Sequence, residues 1–153
     1  MKKRETAETL SKRNETEDKA LEILRTSRWY EGRSIDTSEM KENLKQLGYM
    51  VFPQAETFLK EFGDLVIEDT INDEIHRTNV KFTDYYANGA FITEEKFAKE
   101  KLIPVGKIDS EYLILLVSES GKIYCNTGKL GNNAIEAWGN LISGAGAQLW
   151  GFQ

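Results

Sequence analysis

The chain has 153 residues, of which 40% are hydrophobic and 10% aromatic, enough apolar material to fill the core of one domain. Lys and Arg number 20 against 25 Asp and Glu, and the net charge of −5 argues against the phosphate neutralisation on which non-specific nucleic-acid binding depends. With one Cys (Cys125) and one His (His76), no internal disulfide and no Cys/His metal cluster can form, so no metal and no cofactor is expected.

From Met1 to Lys19 the chain is crowded with charge and lacks the apolar segment of a secretory leader. The longest purely apolar run, Tyr112 to Val117, is far short of the roughly twenty residues a membrane-spanning helix needs. A cytoplasmic protein with no membrane contact is the expectation, and an unpaired thiol suits a reducing compartment. Residues 1–13 read as a charged flexible arm and residues 14–153 as one domain. Asn14 with Glu17 makes a capping box for a first helix, in which Ala20, Leu21 and Leu24 form one apolar stripe before Gly32. Asp36 with Glu39 repeats the capping spacing, and Met40, Leu44 and Leu47 recur at helical intervals up to Gly48. Pro53 suits the first turn of a third helix, whose apolar face is Ala55, Phe58, Leu59 and Phe62.

Beyond Leu65 the period shifts toward two. Leu65 to Ile71 and the alternating run through Thr78, Val80 and Phe82 read as an antiparallel hairpin about Asn72-Asp73-Glu74. Thr93 to Lys101 reads as a short helix, and Lys101 to Ile108 as extended chain. Tyr112 to Val117 and Lys122 to Cys125 form the expected central hairpin about Glu119-Ser120-Gly121. After a glycine-marked turn, Asn132 or Asn133 caps a last helix that directs Ala134, Ile135, Trp138, Leu141 and Ile142 to the core, with Trp150 and Phe152 anchoring the tail. This order, without alternating strand-helix-strand units, predicts an α+β domain, a mainly antiparallel sheet with helices packed on one face.

Charge is unevenly distributed. Between Glu56 and Glu74 stand seven acidic residues and one base, Lys60, so this stretch alone accounts for the acidic surplus and suits a basic partner. Glu68, Asp69, Asp73 and Glu74 are candidates within it, and Asp69, Asp73 and Glu74 are the sharper ones, at or beside the turn of a hairpin. Trp29 and Arg33 are further candidates because Trp and Arg dominate interface hot spots. For these two residues core packing and the binding of backbone carbonyls are the favoured reading. His76 has no Ser or Cys nucleophile paired with it, Cys125 lies in an apolar strand, and the carboxylates lack a diagnostic context. No catalytic set is present, and an enzyme is not expected.

Four local patterns carry a resemblance. Trp29-Tyr30-Glu31-Gly32-Arg33 is similar to a Trp-x-x-Gly-Arg motif, and Phe58 to Leu65 to a helix-to-strand junction. Ile103-Pro104-Val105-Gly106 is similar to Tyr-Pro-x-Gly, with Ile103 where an aromatic is common. Gly121-Lys122-Ile123-Tyr124 followed by the Asn133 to Leu141 helix is similar to a Gly-x-Val-Tyr hairpin and closing helix. In this order they resemble the third subfamily of the SUKH superfamily of bacterial immunity proteins. That resemblance implies an α+β fold and a non-catalytic antitoxin that binds a cognate secreted toxin in interbacterial competition. The toxin implied is of the LXG type, with a basic toxic domain such as a nuclease, encoded by the adjacent gene. The superfamily also contains cell-wall regulators, so an adaptor for a cellular protein unrelated to toxins stands as the alternative. Neither resemblance nor composition specifies an oligomeric state.

Overall fold

A computed structural model describes residues 7–81, 86–108 and 113–151. Phe82, Tyr112 and Phe152, each given a place above, lie outside the described residues. Among the described residues, five helices and seven strands follow in the order α1 (Ala7–Thr26), α2 (Ser38–Gln46), α3 (Pro53–Phe62), β1 (Val66–Ile71), β2 (Glu74–Asn79), α4 (Ile92–Ala98), β3 (Leu102–Ile108), β4 (Leu113–Ser118), β5 (Ile123–Cys125), β6 (Gly128–Gly131), α5 (Ala134–Ile142) and β7 (Gln148–Leu149). All seven strands join one antiparallel sheet in chain order, a meander with β4 in the middle.

The core sits between the sheet and the helices on one face. Leu24 of α1, Leu44 of α2, Phe58 and Phe62 of α3 and Trp138 of α5 meet Ile67, Val105, Leu115, Val117, Ile123 and Leu130 from the strands. Phe58, Phe62 and Trp138 form an aromatic centre, with ring centroids 5.0 to 6.2 Å apart. The other face carries a smaller cluster of Leu102, Ile114, Leu116 and Tyr124, covered by Phe91 and Trp150. Burial on both faces explains why β4 reads as a continuous apolar run rather than an alternating one.

Several boundaries differ from expectation. Helix α1 begins at Ala7, so Asn14 lies inside the helix instead of capping it. The segment Ala7 to Arg13 contains no Gly or Pro to end a helix running back from Asn14. Helix α2 starts two residues later than Asp36, whose Oδ1 accepts from the Ser38 backbone N–H (2.9 Å) and hydroxyl (2.6 Å). Asp36 therefore closes a local turn ahead of the helix. At α5 the cap is Asn133, whose Oδ1 accepts from Glu136 N at 2.9 Å.

Strand β6 went unread because its glycines mimic a turn. A Cβ at Gly128 would collide with the Gln148 carbonyl of β7, so the residue is glycine to let two backbones approach. The Pro104–Gly106 segment has a comparable cause. The β3–β4 register slips between these residues, leaving Val105 as an extra residue, and a Cβ at Gly106 would run into the Asn79 carbonyl of β2.

Candidate functional site

The β1–β2 hairpin is closed by Asn72 and Asp73, both with positive φ (52° and 65°), the turn whose twist matches its strands. Val66↔Asn79, Glu68↔Arg77 and Thr70↔Ile75 are opposed on one face, and Ile67↔Thr78, Asp69↔His76 and Ile71↔Glu74 on the other. Because Ile67 is buried in the main core, the second set faces the helices. The four hairpin carboxylates are thus not brought onto one surface: Glu68 points outward, Asp69 and Glu74 lie on the helix side, and Asp73 is at the tip.

Their environments differ as much as their directions. Glu68 is paired across the strands with Arg77, Oε2 to Nε at 2.9 Å. Asp69 Oδ1 accepts from the Thr70 backbone N–H at 2.8 Å, and the Ser27 hydroxyl accepts from Glu68 N at 3.3 Å. These two side chains take N–H groups of an edge strand that would otherwise be open to another strand. Asp73 forms no side-chain hydrogen bond or ion pair among the described residues. Glu74, with its side chain 81% exposed, lies 3.9 Å from His76 Nε2. The tip therefore presents two hydrated carboxylates on a defined backbone.

Elsewhere in the acidic stretch, Glu56 and Glu61 have local partners. Glu56 accepts from Lys41 (3.2 Å) and lies 3.3 Å from Lys60, and these two lysines hold its carboxyl below the ordinary range. Glu61 Oε2 accepts from the Trp29 indole N–H at 3.2 Å. Of the seven acidic residues, Glu56 and Glu68 are paired with Lys or Arg among the described residues, and Glu61 has only the Trp29 indole, so the excess of the stretch is largely uncompensated in space.

Trp29 and Arg33 turn inward. Trp29 is 6% exposed and stacks on Phe62, with ring planes 12° apart. The Arg33 guanidinium donates to the carbonyls of Glu61 (2.7 Å) and Gly63 (2.8 Å) at the end of α3. A positive fork on the last carbonyls of a helix satisfies acceptors that have no partner within it. Two patterns thirty residues apart in sequence are thus one contact in space, joining the α1–α2 loop to the α3–β1 junction. Tyr124, from the fourth pattern, stacks on Trp150 at 5.3 Å, and the Trp150 indole donates to the Asn126 carbonyl at 2.7 Å.

The Tyr49 hydroxyl donates to the Tyr86 carbonyl at 2.7 Å. Burial, and then the nearby Glu95 carboxylate, push the Tyr49 phenol up to about 12. Glu95 itself accepts from Leu102 N at 3.1 Å, tying α4 to the start of β3. Among the described residues no three metal-ligating side chains come together, and no helix is long and apolar enough to cross a membrane.

Comparison with curated proteins and with solved structures returns no significant match. Comparison with protein families does: residues 16–144 match the family described as SUKH-3 immunity protein. The matched span contains all four patterns and runs from α1 to just past α5. The chain belongs to the SUKH-3 family of immunity proteins, which act by binding a cognate toxin and carry out no catalysis.

Proposed function

We propose that this chain neutralises, in the cytoplasm, the toxic domain of an LXG-type toxin encoded by the adjacent gene, and that this domain is a nuclease. The observation that carries the reading is the hairpin tip, where Asp73 and the exposed Glu74 stand uncompensated on a turn of fixed geometry. A surface that handles RNA or DNA is basic, and free carboxylates on a defined scaffold complement it without reorganising. Glu68 and Asp69 flank this contact in the proposal, while Trp29 and Arg33 hold the frame on which the hairpin stands. Occlusion suffices as a mechanism. A standard interface takes about 800 Å² from each partner, a small part of the 9470 Å² this chain exposes.

The test is co-purification with the product of the adjacent gene, followed by association kinetics. Wild type is expected to form a stable complex whose association rate falls with added salt. Asp73→Lys with Glu74→Lys is expected to slow association about tenfold at low salt and to flatten the salt dependence. Binding with an unchanged rate would place the interface elsewhere on the molecule. No complex with the wild-type chain would remove the proposed partner.

A further inference from the structure

A cavity of about 270 Å³ lies between the α2–α3 turn, α4 and the start of β3. Tyr49, Leu102 and Ile103, which are 6%, 2% and 1% exposed, line it with the half-buried Phe52 and give it apolar and aromatic walls. Among these buried walls stands one carboxylate, Glu95, itself only 9% exposed. Its Oε2 accepts from Leu102 N at 3.1 Å, and its other oxygen has no hydrogen-bond partner among the described residues. The nearby Tyr49 hydroxyl cannot serve it, being committed to the Tyr86 carbonyl at 2.7 Å. At the rim, Lys101 and Glu119 are exposed and of opposite sign, and the Glu119 carboxylate accepts from the Lys101 backbone N–H at 3.0 Å. The unanswered negative charge is therefore within the cavity and not around its mouth.

A buried carboxylate with an open acceptor costs free energy until a donor reaches it, and a charged donor compensates it best. Screening is weak at this depth: after burial itself, the Glu95 carboxylate is what raises the Tyr49 phenol. Size narrows the choice of donor. Small-molecule sites begin at about 300 Å³, so this volume suits one extended side chain better than a cofactor. Apolar and aromatic walls accept a methylene stem or a guanidinium plane, with the charged end left on Glu95. The turn that carries Tyr49 is held in advance, because the Asn88 backbone N–H and side-chain amide donate to the Leu47 and Gly48 carbonyls at 2.8 and 3.2 Å. We propose that this cavity binds the cationic end of an Arg or Lys side chain of a protein partner, paired with the free oxygen of Glu95.

That the side chain belongs to the toxic domain rests on the function proposed above; that the cavity takes a cation does not. The first experiment therefore titrates butylguanidinium, with butylurea as its neutral control, into the full chain and follows amide NMR shifts. Butylguanidinium is expected to give saturable shifts around Tyr49, Glu95 and Leu102, and butylurea none. Glu95→Gln keeps an acceptor for Leu102 N and removes the charge, and is expected to weaken the response by about tenfold or more. Glu119→Gln at the exposed rim is expected to leave it nearly unchanged. Absent shifts, equal shifts with butylurea, or a loss at Glu95→Gln no larger than at Glu119→Gln would overturn the proposal. The butylurea comparison is made on the wild-type chain, so it decides even if Glu95→Gln is unstable. The second experiment measures Glu95→Gln against the adjacent gene's toxic domain, where a loss of affinity of about tenfold supports the cavity as an anchor point. Undiminished binding would leave a free alkylammonium or alkylguanidinium as the occupant, overturning the protein side chain while the proposed function stands. If the wild-type chain fails to bind that domain, the proposed function falls, and the butylguanidinium titration alone decides the cavity.

Discussion

Replacing Arg33 by Ala separates a structural role from an interface role at a residue that suited both. The guanidinium makes two bonds, at 2.7 and 2.8 Å, to carbonyls at the end of α3. Hydrogen bonds to a charged group are each worth about 1.5 to 3 kcal/mol. The site is only part-buried, and water will recover some of that, so we expect a net loss of about 2 to 3 kcal/mol. For a chain of this size each kcal/mol moves the midpoint by about 2 to 4 °C, which places Tm roughly 5 to 10 °C lower. Urea unfolding followed by tryptophan fluorescence measures it directly, with an unchanged denaturant slope as the sign that only stability has moved. Arg33→Lys keeps the charge but not the planar fork that reaches two carbonyls at once, and is expected to recover about half the loss. A change in Arg33→Ala below about 0.5 kcal/mol, accompanied by loss of toxin binding, would refute the structural reading and move this side chain to the interface.

Three further outcomes follow from single contacts. Gly106→Ala drives a methyl into the Asn79 carbonyl where β2 meets the bulge, and is expected to cost about 1 to 3 kcal/mol in a denaturation experiment. Asn133→Ala removes the acceptor for Glu136 N and is expected to cost about 1 kcal/mol, with Asn133→Asp close to wild type. Tyr49 contributes to alkaline stability: its folded pKa near 12 lies above the ordinary value of 10, so the unfolded chain releases this proton first as pH rises. The contribution is fully present below pH 10 and is lost between about pH 10 and 12, by roughly 2 kcal/mol. Thermal melts across that range should show a steeper fall for wild type than for Tyr49→Phe, and equal slopes would discard the assignment.

The candidate site divided cleanly between what local pattern could disclose and what it could not. Asn72-Asp73 announced the hairpin, because those residues tolerate the left-handed backbone that such a turn needs, and the structure puts both there. The acidic excess was legible as a count but not as a surface. Alternation along β1 and β2 sends Glu68 and Asp69 to opposite faces, and Lys41, Lys60, Arg77 and Trp29 answer charges from elsewhere in the chain.

By itself the sequence determined the helices α2, α3 and α5, the two main hairpins and the class of fold, because helical and strand periodicity, caps and turn residues act within a few positions of one another. It also carried the family, through four short patterns. Tertiary structure alone decided what those patterns do. Trp29 and Arg33 engage Glu61 and Gly63 across about thirty residues, Gly106 yields to a neighbouring strand, and Gly128 belongs to a strand that looks like a turn until β7 lies beside it. Contacts at that separation depend on the path of the whole chain, and composition records only that the partners exist, not that they meet.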